Sequence, residues 1–352
     1  MTRSGIVVVM FFSIVAVGQT PPGAQGRKIG DFANVPEAPA YTLIRCGTAV
    51  DVKTNKVLHN VTIIVEKDRI RNLMEQTSRS VQEGTQVSAR AGATVIELPD
   101  HTCLPGLIDV HTHALLQGDI TAADYDKQLL KWSPEYRTIL GTQSARKALE
   151  YGFTTIRDLE TEGAGYADVD IKKAINAGVI PGPRMQVATR ALDVTGAYPL
   201  LGYAPNVPVP HGVQVCDGAD GCRKAVREQI MYGADWIKVY SDRSYYIDPN
   251  PPAGISPTPV LNDIPTFTLD ELRAMVDEAH RQRHKVASHA TAYNGVHNSV
   301  EAGIDTIEHG DYISDADLKL MIQKARTMSR RFTSGNTWLK GAPRRERRCG
   351  WT

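Results

Sequence analysis

The hydrophobic pattern divides this chain into a short β-rich part and a longer part in which strands and helices alternate. Between 41 and 104, apolar and polar residues alternate with the period of a half-buried strand. The run 61–66, the turn residues Lys67 and Asp68, and the apolar Ile70 predict two strands joined by a tight turn. Another short strand is predicted at 94–98, so 41–104 should form a small β module.

Beyond residue 104 the pattern changes repeatedly between the period of a strand and that of a helix. The clearest helix begins at Thr268, because Glu271 three residues later completes a capping-box signature. A second helix over 220–232 is predicted to end before Gly233, which suits the position after a helix. Predicted strands lie at 106–113, 154–159, 184–189, 236–241, 285–290 and 306–310.

Six strand–helix units in series predict an α/β fold with parallel strands, either an open sheet or a (β/α)8 barrel. No glycine fingerprint for a dinucleotide follows the first strand, which disfavours a nucleotide-binding sheet. Polar residues concentrate at the carboxyl ends of the strands, where a barrel places its active site. We therefore predict an incomplete barrel over 105–324, of which six strands are readable.

Composition marks an ordinary globular protein with one unusual segment. The chain has 352 residues, 42% of them hydrophobic, and its 40 basic and 39 acidic residues give a net charge of +1. This balance argues against a nucleic-acid-binding protein. The segment 325–352 differs from the rest, because it holds seven Arg and one Lys against the single acid Glu346.

The N-terminus predicts export. A cationic start precedes the apolar run 6–17, and Ala16 and Gly18 are the small residues expected before signal-peptide cleavage. This run is shorter than the ~20 residues that a membrane span needs. We predict a signal peptide over 1–18 and a linker over 19–40, with a buried N-terminal helix as the alternative.

Five cysteines form no metal-binding pattern of the CxxC kind. Cys216 and Cys222 bracket the turn-rich run Asp-Gly-Ala-Asp-Gly, which could bring them together. An exported protein tolerates a disulfide at this place. Two separate buried thiols fit the spacing equally well.

Four histidines and a lysine at strand ends carry the candidate chemistry. His111 and His113 end the first strand of the barrel, and side chains two residues apart project from the same face of a strand. Lys238 lies inside an apolar strand, where burial favours its neutral amine and lets it capture CO₂ as a carbamate. His289 and His309 end two later strands. Together these five residues predict a metal site.

The runs 105–113, 236–240, 288–290 and 307–310 resemble the motifs of the amidohydrolase superfamily. The branch that they resemble is imidazolonepropionase-like and includes secreted Xaa-Pro dipeptidases (prolidases). The resemblance covers 41–324 and implies a (β/α)8 barrel beside a small β-sandwich, some of whose strands come from the C-terminus.

By position, the resemblance implies a centre of two divalent ions, with zinc as the expected metal. His111 and His113 would hold one ion, His289 and His309 the other, and carboxylated Lys238 would bridge them. Two such ions activate a shared water and polarise the scissile carbonyl, so that hydroxide attacks the amide carbon.

Tyr240 lies two residues beyond Lys238 on the same strand face and could hydrogen-bond the substrate carboxylate or the developing oxyanion. A space-filling aromatic of the barrel is the alternative for this residue. Arg243 and Tyr245 are further candidates for the same contact.

The expected function is hydrolysis of a C–N bond in a small peptide or amide, foremost an Xaa-Pro dipeptide. The alternatives are a cyclic-amide hydrolase like imidazolonepropionase, and an inactive truncated product that binds only metal. We expect no nucleic-acid partner and no membrane span after signal cleavage, and the chain is open to homo-oligomer formation.

One feature departs from the family. Its members carry an aspartate at the end of the eighth strand, but no aspartate follows Asp317 in this sequence, and no strand is readable after Lys324. A frameshift or truncation after Lys324 would explain this, with a basic arm for a polyanion as the alternative. We expect the chain as written to be weakly active or inactive, because general acid–base catalysis contributes about 10²–10⁴-fold.

Overall fold

The computed structural model describes residues 41–75, 93–117, 122–197, 204, 206–242, 245–247, 259–261, 263–324 and 326–329. The predicted signal peptide, the predicted linker and all but 326–329 of the Arg-rich tail lie outside these residues. No helix in the described ranges combines the length and the apolar content that crossing a bilayer requires.

The described elements follow the predicted order, β-rich first and then mixed. The strands are β1 (Tyr41–Asp51), β2 (Lys56–Glu66), β3 (Arg69–Glu75), β4 (Thr94–Cys103), β5 (Leu107–Thr112), β6 (Phe153–Asp158), β7 (Arg184–Val187), β8 (Leu192–Asp193), β9 (Gln214–Val215), β10 (Trp236–Tyr240), β11 (Tyr245–Ile247), β12 (Pro259–Leu261), β13 (Lys285–Ala290), β14 (Thr306–His309) and β15 (Thr327–Ser329). The helices are α1 (Ala122–Lys131), α2 (Pro134–Glu150), α3 (Ala167–Asn176), α4 (Ala219–Met231), α5 (Leu269–Arg281), α6 (Tyr293–Ala302) and α7 (Asp315–Gln323).

The N-terminal module is a four-stranded sheet in the order β3-β2-β1-β4, with β1 antiparallel to β2 and parallel to β4. The predicted tight turn joins β2 to β3, and Lys67 in it has a φ of 54°. Apolar residues such as Ile44, Val61 and Ile63 form its core. The expected β-sandwich is not confirmed, because the described residues of this module form one sheet.

A disulfide that the sequence did not predict closes this module. Cys46 on β1 is bonded to Cys103 at the end of β4, with Cα atoms 6.1 Å apart. Both residues are buried in the core of the sheet. The disulfide therefore fixes the end of β4, from which the chain runs directly into β5.

The second part has the predicted parallel strands, but its described strands do not close into a barrel. β5, β6 and β7 form one parallel sheet, and a six-stranded sheet has the order β15-β14-β13-β10-β8-β9. All six predicted strands are present at the expected places. Helix α5 begins at its predicted cap, where Thr268 accepts from the backbone N–H of Glu271.

The described chain divides into two compact units. Among the described residues, the first unit comprises 41–75, 93–117, 122–191, 204, 206–214 and 228–237, and the second comprises the rest. The first unit contains the N-terminal sheet and β5–β7. The second contains β13–β15, and it contains β10 from Lys238 onward.

The prediction that no strand follows Lys324 is wrong, because residues 327–329 form the strand β15. Strand β15 pairs in parallel with β14. Just before it, Arg326 donates to Asp305 Oδ1 at 2.6 Å, and the Thr327 N–H donates to the Asp305 carbonyl at 3.1 Å. Three residues are too few to show the alternation that marks a strand in a sequence.

Candidate metal centre

The end of β5 brings two imidazoles together in the first unit. His111 lies in β5 and His113 is the first residue after it, and the spacing of two directs both side chains to the same side. Their Nε2 atoms are 3.2 Å apart, and the His111 side chain is buried. This arrangement agrees with the prediction that these two rings converge on one point.

Two glutamates that were not among the predicted ligands lie beside His113. One ligand atom from each of His113, Glu160 and Glu162 lies within 4.8 Å of the others, a spacing that could hold a metal ion. His113 Nδ1 is 3.2 Å from Glu162 Oε1, and both glutamates are buried. The sequence did contain a signal for these two ligands. Glu160 and Glu162 come just after the end of β6, and the predicted histidines also lie at the ends of strands.

A buried arginine holds the two loops that carry these groups. The Arg137 guanidinium donates to the Leu115 carbonyl at 3.1 Å, just after the histidines. It also donates to the carbonyls of Thr161 at 3.2 Å and Glu162 at 2.7 Å. Because Arg137 is only 1% exposed, its removal would take a buried cationic donor from all three carbonyls.

Two further carboxyl groups are buried near this site. Burial raises the pKa of Asp158 well above its usual range, and the neighbouring Asp168 carboxylate raises it further. Burial also raises the pKa of Asp168 to about 7, against hydrogen bonds from the N–H groups of Thr189 and Val169 that lower it. The first unit therefore concentrates acidic groups behind its two histidines.

Lys238 occupies the interior of the second unit, as predicted. Its side chain is 1% exposed, between Ile237 and Val239, which are fully buried. The Lys238 Nζ lies 5.3 Å from the centre of the Tyr240 ring. These two residues therefore share one face of β10.

The second unit also brings His289, His309 and Tyr240 together. The rings of His289 and His309 are 4.6 Å apart between centroids, and the Tyr240 ring is 5.0 Å from that of His289. His309 has a φ of 74°, a left-handed backbone that residues other than glycine rarely adopt. Such conformations concentrate at functional sites.

The predicted ligands thus form a histidine pair in the first unit and a lysine with two histidines in the second. Imidazole nitrogens and a carbamate oxygen are donors that zinc-type ions accept, so the chemistry of each set suits a divalent metal. Tyr240 lies within its set, whereas Arg243 and the side chain of Tyr245 are outside the described residues. Of the two alternatives for Cys216 and Cys222, the structure has the disulfide, with Cα atoms 5.0 Å apart.

Comparison with known proteins gives one family. The model of the amidohydrolase family matches residues 102–341. Ochratoxinase of Aspergillus niger is 30% identical over 240 residues, which are 63% of this chain and 46% of that protein. This chain therefore spans about half the length of the curated relatives that it matches.

Solved structures agree with this match. The crystal structure of a Xaa-Pro dipeptidase with bound methionine in the active site is similar, with a TM-score of 0.63 and 28% identity, covering 82% of this chain and 66% of that one. A prolidase complexed with N-methylphosphonate-L-proline has a TM-score of 0.65 and 25% identity, covering 82% and 65%. These similarities imply a barrel-like α/β fold of the (β/α)8 type.

Proposed function

This chain belongs to the amidohydrolase family, and from that membership we propose that it hydrolyses the C–N bond of a small amide or peptide. An Xaa-Pro dipeptide is the first candidate substrate. The observation that carries the proposal is the set of four histidines near strand ends, His111, His113, His289 and His309, together with the buried strand residue Lys238. All five lie within the family match. The similarity to a Xaa-Pro dipeptidase and a prolidase supports this substrate class.

We propose that these residues hold two divalent ions, foremost zinc. His111 and His113 would serve one ion, His289 and His309 the other, and carboxylated Lys238 both. Such ions lower the pKa of water and polarise a carbonyl group. The contribution of the chain itself is to fix the imidazoles and to bury the lysine.

The residues of the chain bind and orient. The apolar neighbours of Lys238 exclude water from its amine, which favours the neutral form that takes up CO₂. Tyr240 is 8% exposed and its ring lies near that of His289, so its hydroxyl is the group that we assign to the substrate carboxylate or the oxyanion. Its aromatic ring also fills space, as the alternative interpretation requires.

We also propose that the protein is exported. The predicted signal peptide and the two disulfides, Cys46–Cys103 and Cys216–Cys222, support export, because disulfides persist in oxidising compartments. Fractionation of expressing cells tests export, because an exported protein is recovered outside the cytoplasm and without its signal peptide.

The test of function is turnover on a substrate panel by the full chain supplied with zinc. We expect release of proline from Xaa-Pro dipeptides. Lys238→Ala should lower kcat/KM by at least about 10²-fold and reduce the metal content. Lys319→Ala, on α7, is the matched control and should change neither.

Each outcome of the panel has a distinct meaning. Turnover of a cyclic amide without turnover of dipeptides would replace the proposed substrate class with the imidazolonepropionase-like one. Metal binding without any turnover would support the alternative of an inactive product that binds only metal. If the chain took up no metal and hydrolysed no substrate, the proposed function would be wrong.

A further inference from the structure

Two buried aspartates hold the backbone beside the predicted metal ligands, and the first is Asp158. It ends β6, the strand that pairs with the histidine-bearing β5. Its Oδ1 accepts from the N–H of Ala114 at 2.6 Å and from the hydroxyl of Thr112 at 3.1 Å. Thr112 and Ala114 flank His113 in the sequence, so one carboxylate oxygen fixes the chain on both sides of that histidine.

Asp242 makes the corresponding contacts in the second unit. It follows β10, which neighbours the His289-bearing β13 in the sheet. Its Oδ2 accepts from the N–H groups of Thr291 at 2.7 Å and Ala292 at 2.9 Å. Its Oδ1 lies 3.8 Å from His289 Nε2, and the residue is 3% exposed.

Asp242 also compensates for a weak helix start. Ala292 is the N-cap of α6 and offers no side-chain hydrogen bond of its own. The Asp242 carboxylate supplies an acceptor at this N-terminus from another element, where the helix dipole favours a negative charge. The loop after His289 is thereby tied to the end of β10.

Close packing leaves the Asp242 carboxylate little freedom. A Cβ added at Gly295, in the first turn of α6, would overlap Asp242 Oδ2 and lie 2.6 Å from the Asp242 Cβ. A glycine at this place therefore allows the helix to approach the carboxylate closely. The contact fixes both the aspartate and the helix that follows the histidine strand.

We propose that Asp158 and Asp242 are matched positioning residues, each of which fixes the backbone next to the metal-binding histidines of the neighbouring strand. This inference rests on the proposed metal centre. Groups that orient metal ligands without touching the ion typically contribute about 10–100-fold to metal affinity. In both units the aspartate accomplishes this with a single oxygen atom that accepts two hydrogen bonds.

The use of one oxygen permits a sharp test with paired variants. Asp158→Asn and Asp242→Asn keep one acceptor oxygen, so we expect zinc affinity within about 3-fold of the wild type. Asp158→Ala and Asp242→Ala remove it, so we expect affinity to fall about 10–100-fold in a chelator competition assay. Hydrogen exchange of the metal-free chain gives a second readout. The Ala114 amide should exchange at least about tenfold faster in Asp158→Ala, and those of Thr291 and Ala292 in Asp242→Ala.

The outcomes separate this inference from the proposed function. Folded alanine variants with wild-type zinc affinity would overturn the positioning role, as would asparagine variants as weak as the alanine ones, because the charge itself would then matter. If Asp242→Ala does not fold, Gly295→Ala displaces the Asp242 carboxylate without removing it and should weaken zinc binding likewise. If Asp158→Ala does not fold, Thr112→Val removes one of the two hydrogen bonds to Asp158 Oδ1 and serves the same purpose. A wild-type chain that binds no zinc would instead contradict the proposed function.

Discussion

The two units carry their predicted metal ligands in different surroundings. In the first unit the histidine pair has three buried acidic residues near it, Asp158, Glu160 and Glu162. In the second unit the neighbours of Lys238 along β10, Ile237 and Val239, are apolar and fully buried. The buried polar groups near them include serine hydroxyls that are hydrogen-bonded to one another. Ser288 is hydrogen-bonded to Ser241 at 2.6 Å and to Ser299 at 3.0 Å, in a buried chain.

This difference shows two ways of keeping polar groups in an interior. At Asp158 of the first unit, burial and repulsion from the neighbouring Asp168 carboxylate raise the pKa of the carboxyl group. Asp242 of the second unit accepts hydrogen bonds from two backbone N–H groups at a helix start and is packed closely against Gly295 of that helix. Both aspartates thus accept two hydrogen bonds, but the first has other carboxyl groups close by and the second has a helix packed against it. Four experiments compare the two units further.

The largest effect is expected in the first unit at Arg137. Arg137→Leu should lower the free energy of unfolding by about 3–5 kcal/mol, because three carbonyl groups lose a buried cationic donor. Urea unfolding measures this loss. Arg146→Leu, on the same helix, is the control, since its ion pair with Glu150 is exposed and should contribute less than about 1 kcal/mol. Equal effects of the two substitutions would contradict the role of Arg137.

The disulfides allow a direct comparison of the units. Cys46 and Cys103 are 57 residues apart, whereas Cys216 and Cys222 are 6 apart. Replacing both cysteines by alanine should cost about 4 kcal/mol for the first disulfide and about 2 kcal/mol for the second, because the longer loop restricts the unfolded chain more. Thermal unfolding without reductant measures both. A larger loss for the short loop would show that chain entropy does not control these bonds.

Glycine substitutions test the close fit of the second unit. Gly295→Ala should destabilise by about 1–3 kcal/mol, because its Cβ would overlap a carboxylate that the backbone holds. Gly221→Ala in α4 meets nothing within 4 Å and should be neutral or stabilise by about 0.5–1 kcal/mol. Gly141→Ala in the first unit meets only side-chain ends of Leu115 and Ile171, so its cost should be intermediate. Chemical denaturation ranks the three, and a reversed order would contradict the rigid fit around Asp242.

The smallest effect is expected from a carboxylate of the second unit that is stabilised by charge. A hydrogen bond from Arg227 lowers the pKa of Glu278 from its usual 4.5 to about 2, against the effect of burial. Because the folded pKa is depressed, this stabilisation is present above pH 4.5 and is lost as the pH falls towards about 2. Glu278→Gln should remove about 1–2 kcal/mol at pH 7, allowing for the exposed arginine, and flatten the acid limb of a stability–pH profile. An unchanged acid limb would contradict this assignment.

Local patterns of the sequence predicted the elements that depend on neighbouring residues. The capping box of Thr268 and Glu271, the turn at Lys67 and the strand-end histidine pair all follow from spacings of two or three residues. The strand β15 was missed because it has three residues. The predicted sandwich was not confirmed, because it was implied by the family resemblance and not by any pattern in 41–104.

The sequence alone therefore determined the parallel α/β order, the five candidate ligands and the family, because each depends on short motifs in a fixed order along the chain. The tertiary structure alone decided that Arg137 joins the loops of His113 and Glu162, that Asp242 caps the helix after His289, and that Cys46 bonds Cys103. These contacts join residues 22 to 57 positions apart. No local period encodes them, since partners so distant in sequence meet only when the strands, helices and loops that carry them pack together.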